Sequence, residues 1–464
     1  MIWIMIKINE LSTNTSQSNL IQAGVDLRKE ISFSDIGKFY SVHRNAVEID
    51  ENARKFMVPE LIPQRIQRMR VSSFGYFRGS AKLMSMDLLE QTDTNIKVVV
   101  CGDAHLGNFG FYASPERNLL FDLNDFDEAG YKNWEWDIRR LLVSVFLAGY
   151  CNDFKRSKLD GIVRNVCKSY RNGLKDMFQI TAVKRFYRQT EFQTAFNHLT
   201  IKEKDAELFQ SIVAKARKRT ADQVLVKYTE KNSDGKLKFN EVPPRRVHID
   251  DKTYQQLVMG MKQYLLTTRT DAAVLLSEYQ IIDIVRHSVG IGSYGTLCYL
   301  VLLAHSDGSY LILQIKEALP TIGETSRDIL HFQSNQPVSE GQRITASQKI
   351  MQGAFDPFLG FFEIDGVSYY VRQFRDMKES IDLTKLNIRQ YELYAEICGY
   401  LLAVAHSQSP LAPCIYGYAG DEDEFDEQMV HWAHAYAAQV QIDYTQFMQS
   451  TEGIVEKSGK TKKK

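Results

Sequence analysis

A stretch between Cys101 and Asp137 carries the side chains best suited to chemistry. Asp103 is followed five residues later by Asn108, and a strand-like run then leads into Asp125. A carboxylate can accept a proton from a hydroxyl nucleophile, whereas an amide oxygen and a second carboxylate can bind Mg²⁺. The pattern therefore predicts Asp103 as a base, and Asn108 and Asp125 as metal ligands, for the transfer of a phosphoryl group.

Further acids and a histidine surround this stretch. Asp122, Asp127 and Glu128 crowd the segment with carboxylates, which repel one another unless a cation is present. We therefore expect Asp127 to be a further metal ligand rather than an ordinary turn residue. His105 is expected to shape the catalytic turn by hydrogen bonding. Asp137 opens a helix, where it could cap the N-terminus or anchor the Asp103 loop through backbone N–H groups. Asp103, His105 and Asp137 together form the expected catalytic set.

A second candidate site lies far along the chain, in a glycine-rich segment. Gly290, Gly292, Ser293 and Gly295 follow one strand and lead into the β-rich residues 296–303. A dinucleotide site would need the third glycine to open a helix, so that class is disfavoured. The pattern fits a flap between strands whose backbone N–H groups cover phosphates. A glycine hairpin without a ligand is the alternative.

Lys316 lies in the strand one hairpin after the glycine loop. If its side chain points inward, the buried charge needs an anion, and the phosphates of a nucleotide would supply one. Alternation places Ile312, Gln314 and Ala318 on the same face, which is mixed rather than plainly polar. The direction of Lys316 therefore stays open. Arg78 has two similar alternatives, a phosphate contact or an ordinary pairing at a domain seam.

Composition restricts the class of protein. The 57 basic and 57 acidic residues are balanced, so we expect no nucleic-acid partner. The six cysteines are scattered without a C-x-x-C pair, which is typical of a reducing compartment. The longest apolar runs are too short to span a bilayer, so we expect no membrane partner. These observations together predict a cytoplasmic protein.

Helical and strand-rich segments occupy different parts of the chain, which predicts an α+β fold. At 464 residues the chain has room for roughly two to four domains or lobes. The expected segments are a loose lead-in over 1–50, a catalytic half of a large lobe over 51–180, a helical and hairpin accessory region over 181–275, a small β-rich lobe over 276–380, helices completing the large lobe over 381–450, and a basic disordered tail over 451–464.

The motifs resemble the protein-kinase-like superfamily, and most closely its aminoglycoside and choline kinase branch. The resemblance implies a two-lobed fold, ATP and Mg²⁺ as cofactors, Asp103 as the base, and Asn108 and Asp125 as metal ligands. It also implies that the glycines and Lys316 hold the phosphates of ATP. The matching residues are Gly102-Asp103, His105, Asn108, Asp125-Phe126-Asp127-Glu128-Ala129 and Asp137.

The order of these parts departs from that of kinases, because here the glycine loop and lysine follow the catalytic loop. The resemblance therefore implies a circular permutation, in which the helix ending near His406 is the one that normally precedes the catalytic loop. Cys101 stands where that branch has histidine, and Asp127 where it has glycine. The sequence shows no clear glutamate partner for Lys316. Glu340, at the start of the helix that follows the lysine strand, is the candidate for that role.

More narrowly, residues of about 65–449 resemble an uncharacterised bacterial domain-of-unknown-function family. Its marks here are FGYFRG, CGDAHLGNFG, NDFDEA, VGIGSYGT, LQIKEA and YYVRQF. The expected activity is ATP·Mg-dependent transfer of a phosphoryl group, or of the nucleotidyl part, to an unknown small-molecule hydroxyl acceptor. An inactive nucleotide-binding pseudokinase is the first alternative. A metal-dependent phosphoesterase using Asp103 and His105 is the second.

Overall fold

The computed structural model describes residues 15–188, 203–218, 221–288, 290, 294–323, 338–374 and 379–454. Over these residues the fold is a mixed α+β arrangement, in agreement with the predicted class. Gly292 and Ser293 of the predicted glycine flap lie outside the described residues, as does most of the predicted basic tail.

The described elements are numbered along the chain. The helices are α1 (Gln17–Leu27), α2 (Phe33–Gly37), α3 (Ala46–Arg54), α4 (Ile62–Met69), α5 (Ser73–Gly79), α6 (Ala81–Leu88), α7 (Glu135–Cys151), α8 (Arg156–Gln179), α9 (Ala182–Phe186), α10 (Glu203–Lys218), α11 (Ala221–Tyr228), α12 (Asp251–Tyr264), α13 (Thr270–Ser277), α14 (Glu340–Met351), α15 (Ile388–His406), α16 (Ala412–Ala419) and α17 (Asp423–Ser450). The strands are β1 (Lys97–Val100), β2 (Phe109–Ala113), β3 (Leu119–Leu123), β4 (Gly130–Asn133), β5 (Thr229–Lys231), β6 (Leu237–Phe239), β7 (Arg246–His248), β8 (Gln280–His287), β9 (Cys298–Ala304), β10 (Tyr310–Glu317), β11 (Gly360–Ile364), β12 (Val367–Gln373) and β13 (Glu379–Ser380).

The largest sheet has six antiparallel strands in the order β11-β12-β10-β9-β8-β7. The β11–β12 hairpin turns at Asp365 and Gly366, whose φ angles of 51° and 77° are the left-handed values that a tight hairpin requires. One face packs on α12 and α13 around Leu313 and Ile315. The other face packs on α11 and the β5–β6 hairpin.

The predicted boundary at 275 is wrong, because part of the accessory region belongs to this sheet. Strand β7 pairs with β8, with Arg246 opposite His287. Helix α12 lies against β11 at Gly260, where an added Cβ would be 2.3 Å from the ring of Phe362. A glycine at this point lets the helix approach the sheet closely, so residues 246–264 form one unit with the strands that follow.

The helical part is built around α7, which is buried along nearly its whole length. Helices α8, α15 and α17 pack around it. Trp134, just before α7, stacks on Tyr170 of α8 at 5.8 Å between ring centroids and on Phe425 of α17 at 6.0 Å. Residues from distant parts of the sequence thus share one hydrophobic core. None of the described helices is both long and apolar enough to cross a bilayer.

The predicted loose lead-in is also wrong for residues 17–50, which form packed helices. Leu27, Phe33 and Ile36 are buried. Helix α1 lies directly against α16, since a Cβ at Gly24 would be 2.0 Å from the carbonyl oxygen of Cys414. The weak local pattern of this segment gave no sign of a helix pair whose contact depends on a small residue in each partner.

Candidate functional site

A cleft of about 520 Å³ lies between the large sheet and the β2–β3 hairpin. It brings together predicted site residues that are far apart in sequence, namely Asn108, Asp125, Gly290 and Lys316. The other polar side chains that line it are Arg78, Ser114, Arg117, Asn124, Gln314, Gln348, Gln352, Asp356, Arg372, Gln373, Glu379 and Ser380, beside several apolar residues.

The loop that carries Asp103 is held in place by Asp137. The two oxygens of the Asp137 carboxylate accept the backbone N–H groups of Cys101 and Gly102 at 2.8 and 2.9 Å. The Nε2 atom of His406 lies 3.2 Å from the same carboxylate. Trp134, not Asp137, is the N-cap of α7, so the loop anchor is the role that the structure supports. Asp137 is fully buried, which makes it a positioning residue and not the catalytic one expected.

The backbone next to Asp103 adopts a conformation that only glycine accommodates easily, at Gly102. Its φ of 75° is left-handed, and an added Cβ would lie 2.0 Å from the carbonyl oxygen of Glu128. The loop therefore passes very close to the acidic segment that follows β3. This approach brings the predicted base and the predicted metal ligands into one region.

Asp103 forms an ion pair with the guanidinium of Arg140, which is itself buried. Burial raises the pKa of Asp103 to about 7, because it outweighs the attraction of Arg140, and the nearby charges of Asp125 and Glu128 act in the same direction as burial. A carboxyl that titrates near neutral pH is well matched to accept a proton. Its side chain is 14% exposed and is not among the residues that line the cleft.

His105 shapes the turn through its backbone. Its N–H donates to the carbonyl of Asp103, and its own carbonyl accepts the N–H of Asn108, both at 2.8 Å. The ring packs edge-on against Phe74, and Nε2 is 3.6 Å from the Asp103 carboxylate, beyond hydrogen-bond distance. Burial, with the charges of Arg78 and Arg140, holds the pKa of His105 well below its usual value, so the imidazole is neutral.

Asn108 links the two halves of the predicted metal site. Its amide nitrogen donates to the carbonyl oxygens of Asp103 and Asp125, at 3.0 Å in each case. The side-chain carbonyl oxygen is then the atom that remains for a cation. Asp125 offers a second oxygen, because its Oδ1 is buried without a hydrogen-bond partner in the described part of the chain.

Two protein oxygens suit a Mg²⁺ ion that is also bound by water and a ligand better than a metal ion bound only by protein side chains. Among the described residues, no group of three or more His, Cys, Asp or Glu side chains is placed to hold a metal ion. Magnesium commonly takes one or two protein oxygens and completes its shell with water and phosphate. Asn108 and Asp125 therefore suit a metal that arrives with a phosphate-bearing ligand.

Lys316 points inward, which settles the direction left open by its sequence. Its side chain is 3% exposed, and Nζ lies 2.6 Å from Oδ2 of Asp127 and 3.8 Å from Oδ1 of Asp125. Burial lowers the pKa of Lys316, but Asp125 and Asp127 together outweigh burial and raise it. Burial likewise opposes ionisation of Asp127, and Lys316 overcomes it, so the pKa of Asp127 is lowered. The pair is therefore charged.

Asp127 consequently does not fit the predicted role of metal ligand. One of its oxygens accepts from Lys316, and the other accepts the hydroxyl of Tyr370 at 2.6 Å. Asp127, an acid where the kinase pattern that the sequence resembles has glycine, thus positions the lysine. That departure in sequence was the signal for this role, although it could not identify Tyr370.

Glu340 is not the partner of Lys316. It forms an ion pair with Arg343, one turn later in α14, at 2.5 Å. Helix α14 and its C-cap instead present Gln348 and Gln352 to the cleft, and these two side chains are hydrogen-bonded to each other at 2.9 Å. The lysine thus has two aspartates and no glutamate within ion-pair distance in the described part of the chain.

Two arginines that sequence reasoning did not assign also line the cleft. Arg372 lies next to Tyr370 on the same face of β12 and donates to Gln314 at 3.0 Å. The guanidinium of Arg78 covers Gly107, where an added Cβ would be 3.4 Å from its Cζ. Nε of Arg78 is buried without a hydrogen-bond partner in the described residues. With Lys316 and Arg117, these side chains give the cleft four cations among the described residues.

The glycine segment reaches the cleft at its first residue. Gly290 lines it, with a φ of 86°, and its carbonyl oxygen accepts a hydrogen bond from Arg68. Gly295 has a φ of 115°, and its carbonyl accepts the N–H of Val58 at 2.8 Å. Both ends of the segment are therefore attached to the region that precedes the Asp103 loop.

Comparison with known proteins identifies one family. No curated protein and no solved structure matches the chain. The family model described as an uncharacterized protein conserved in bacteria (DUF2252) matches residues 54–450, a range that contains every side chain of the cleft. The chain belongs to this family of uncharacterized bacterial proteins.

Proposed function

We propose that this protein is an ATP·Mg²⁺-dependent phosphotransferase with a two-lobed, circularly permuted kinase-like fold, and that its acceptor is the hydroxyl group of a small molecule. The observation that carries the proposal is the position of Lys316. Its buried ammonium lies at the same cleft as Asn108, Asp125 and Gly290, although it is 189 residues from its partner Asp127.

Each side chain has a definite task in this proposal. Lys316 binds the phosphates of the nucleotide, and Asp127 holds the lysine in position. Asn108 and Asp125 hold Mg²⁺, which neutralises the negative charge of the phosphates when it is bound. Arg372 and Arg78 add positive charge to the walls, where it favours a phosphoryl group that carries charge on several oxygens.

Asp103 accepts the proton of the acceptor hydroxyl. Its pKa near 7 suits that task at neutral pH. Arg140 donates to Oδ1 of the carboxylate, so Oδ2 is the oxygen that would accept the proton. The loop keeps its shape because Asp137 binds two successive backbone N–H groups.

The permutation is supported by the contacts of the helix that ends at His406. That residue meets Asp137 in the anchor of the catalytic loop. Three residues later, Ser409 accepts the N–H of Val99 in β1 at 2.9 Å. The end of α15 thus lies beside the strand that leads into the catalytic loop, which is where a helix directly preceding that loop would end.

Calorimetric titration with ATP, with and without Mg²⁺, tests the proposal. We expect binding that needs Mg²⁺ and that falls at least about tenfold in Lys316→Met, since the substitution removes a charge-assisted contact. Lys158→Met is the matched control, because Lys158 is an exposed lysine on α8. Absence of binding to the wild type, or equal binding by Lys316→Met, would contradict the assignment.

A nucleotide-binding pseudokinase is the second candidate. Two observations favour it: Asp103 is paired with Arg140, and it does not itself line the cleft. Formation of ADP by the wild type that is lost in Asp103→Asn, with ATP binding retained, supports the enzyme. Binding of ATP without any turnover supports the pseudokinase. Hydrolysis of an aryl phosphate with Mn²⁺ would instead support the phosphoesterase alternative.

A further inference from the structure

A second cavity, of about 250 Å³, lies beside the first residue of the glycine segment. Four elements meet there: the end of α4, the end of α11, the start of β7 and the end of β8. None of its side chains takes part in the proposed phosphoryl transfer. The residues that define it are Arg68, Lys227, Arg245, Arg246, Ser288 and Gly290.

The charge of this cavity is unusual. Two aromatic residues complete the lining, and no carboxylate is among the described side chains that form it. Within the described part of the chain, Arg68, Lys227, Arg245 and Arg246 have no carboxylate within 4.0 Å. Four cationic side chains thus face one small space in a protein whose overall charge is balanced. Such a group repels itself unless an anion is bound.

The arginines are held in place by neutral groups rather than by acids. Arg246 is 4% exposed and donates to the backbone and side-chain oxygens of Asn240. Its guanidinium lies over the ring of Tyr228, at 4.5 Å from the centroid. Arg68 donates to the carbonyl of Gly290 and stacks on Tyr294 at 4.1 Å. These contacts orient the guanidinium groups but leave their charges without compensation.

Nε of Arg245 and Oγ of Ser288 are fully shielded from solvent and have no hydrogen-bond partner among the described residues. Buried donors are normally hydrogen-bonded, so each such atom calls for an explanation. A ligand with several acceptor oxygens would satisfy both atoms and would neutralise the cations beside them.

We propose that this cavity binds the phosphate group of a small phosphorylated molecule. A phosphate dianion offers several strong acceptor oxygens, and arginine forks match such oxygens in pairs. The volume is below the usual range of sites for whole drug-sized ligands, so it accommodates a phosphate or phosphate ester and not a complete nucleotide. Binding at this site does not depend on the catalytic activity proposed for the cleft.

A polynucleotide is the less suitable class of ligand. Its recognition requires a basic surface that follows the backbone over many phosphates. Here the cations converge on one cavity, and the chain carries no net positive charge. The geometry thus favours a single phosphate group over a polymer.

The test is calorimetric titration of the whole protein with inorganic phosphate, pyrophosphate and phenyl phosphate. We expect binding to the wild type and a loss of at least about tenfold in affinity in Arg245→Gln, since one charge-assisted contact is removed. Arg269→Gln is the matched control, because Arg269 is an arginine outside the cavity that pairs with Asp271 at 2.6 Å. Lys316→Met separates this cavity from the cleft and is expected to leave phosphate binding unchanged.

The contrary results are equally definite. The proposal is wrong if the wild type binds none of the three probes at millimolar concentration, or if Arg245→Gln binds them as the wild type does. Loss of phosphate binding in Lys316→Met would place the anion in the cleft. A single-stranded oligonucleotide that binds more tightly than pyrophosphate and competes with it would indicate a nucleic-acid surface. Far-UV circular dichroism spectra that match the wild type at the titration temperature confirm that each variant is folded.

Discussion

Replacement of Lys316 by methionine should destabilise the protein as well as weaken nucleotide binding. The ammonium is 3% exposed and lies 2.6 Å from Asp127, whose side chain is 25% exposed. Removal of one member of a buried ion pair costs about 3–5 kcal/mol. Asp127 keeps the hydroxyl of Tyr370 and some solvent, so we expect the lower end of that range, about 3 kcal/mol.

A double-mutant cycle separates the pair from the other effects of each substitution. Asp127→Asn should also destabilise, by about 2 kcal/mol, because Lys316 retains only Asp125 at 3.8 Å. The double variant should lose less than the sum of the two, with a coupling free energy of about 1–3 kcal/mol. Urea unfolding followed by tryptophan fluorescence measures all four proteins. A coupling below about 0.5 kcal/mol would refute the pairing.

The pH dependence of the unfolding free energy tests whether Asp127 is ionised in the folded protein. The pKa of Asp127 is lowered in the folded protein, so its ionisation contributes stability above the unfolded value of about 3.9, and that contribution is lost as the pH falls through the folded pKa. Without Lys316, burial should raise the pKa of Asp127. In the variant, protonation of Asp127 removes the cost of burying its unpaired charge. The difference in unfolding free energy between variant and wild type should therefore shrink as the pH falls toward 4.

Three further predictions concern the Asp137 anchor, the contact between α1 and α16, and Asp103. Asp137→Asn should lower the free energy of unfolding by about 2–3 kcal/mol, since one of the two backbone N–H groups then faces an NH₂ group. Asp153→Asn is the control and should leave stability unchanged, because Asp153 is exposed and has a φ of 57°. Equal unfolding midpoints for the two variants would contradict the anchoring role of Asp137. Gly24→Ala should lower the free energy of unfolding by at least about 2 kcal/mol, because the added methyl group would clash with the Cys414 carbonyl oxygen. Gly161→Ala, whose methyl group would have no atom within 4 Å, should stabilise α8 by up to about 1 kcal/mol. Thermal unfolding distinguishes the two variants, and an unchanged midpoint in Gly24→Ala would disprove the close contact. The rate of ADP formation should rise with pH through about 7, because the protonated form of Asp103 cannot accept a proton; a rate that is constant or falls between pH 6 and 8 would exclude Asp103 as the base.

The elements that sequence predicted well are those specified by neighbouring residues. The β-rich segment predicted over 276–380 contains the β11–β12 hairpin, whose Asp365-Gly366 turn adopts positive φ at both residues. Strands β8, β9 and β10 follow from β-branched and aromatic runs bounded by turn residues. In each case the physical cause lies within about ten residues of the element.

The failures concern contacts between distant residues. The face of β10 that carries Lys316 also carries Ile312 and Gln314, and no local rule distinguishes a cleft wall from a solvated surface with that composition. In the structure Ile312 packs under the β5–β6 hairpin, whereas Lys316 enters the cleft. Only the arrangement of elements that are distant in sequence decides between these environments. The same holds for Arg78 and Arg372, and for the packed helices of residues 17–50.

The separation of Lys316 from Asp127 also bears on how the protein is made. Synthesis proceeds at roughly 5–20 residues per second, so the 189 residues between them take roughly 10–40 seconds to appear. During that interval Asp127 lacks its counter-ion Lys316. Phe425, which stacks on Trp134, is synthesised later still. The nascent chain therefore exposes an unfinished apolar surface for much of its translation, and it should depend on a holding chaperone until its last helices leave the ribosome.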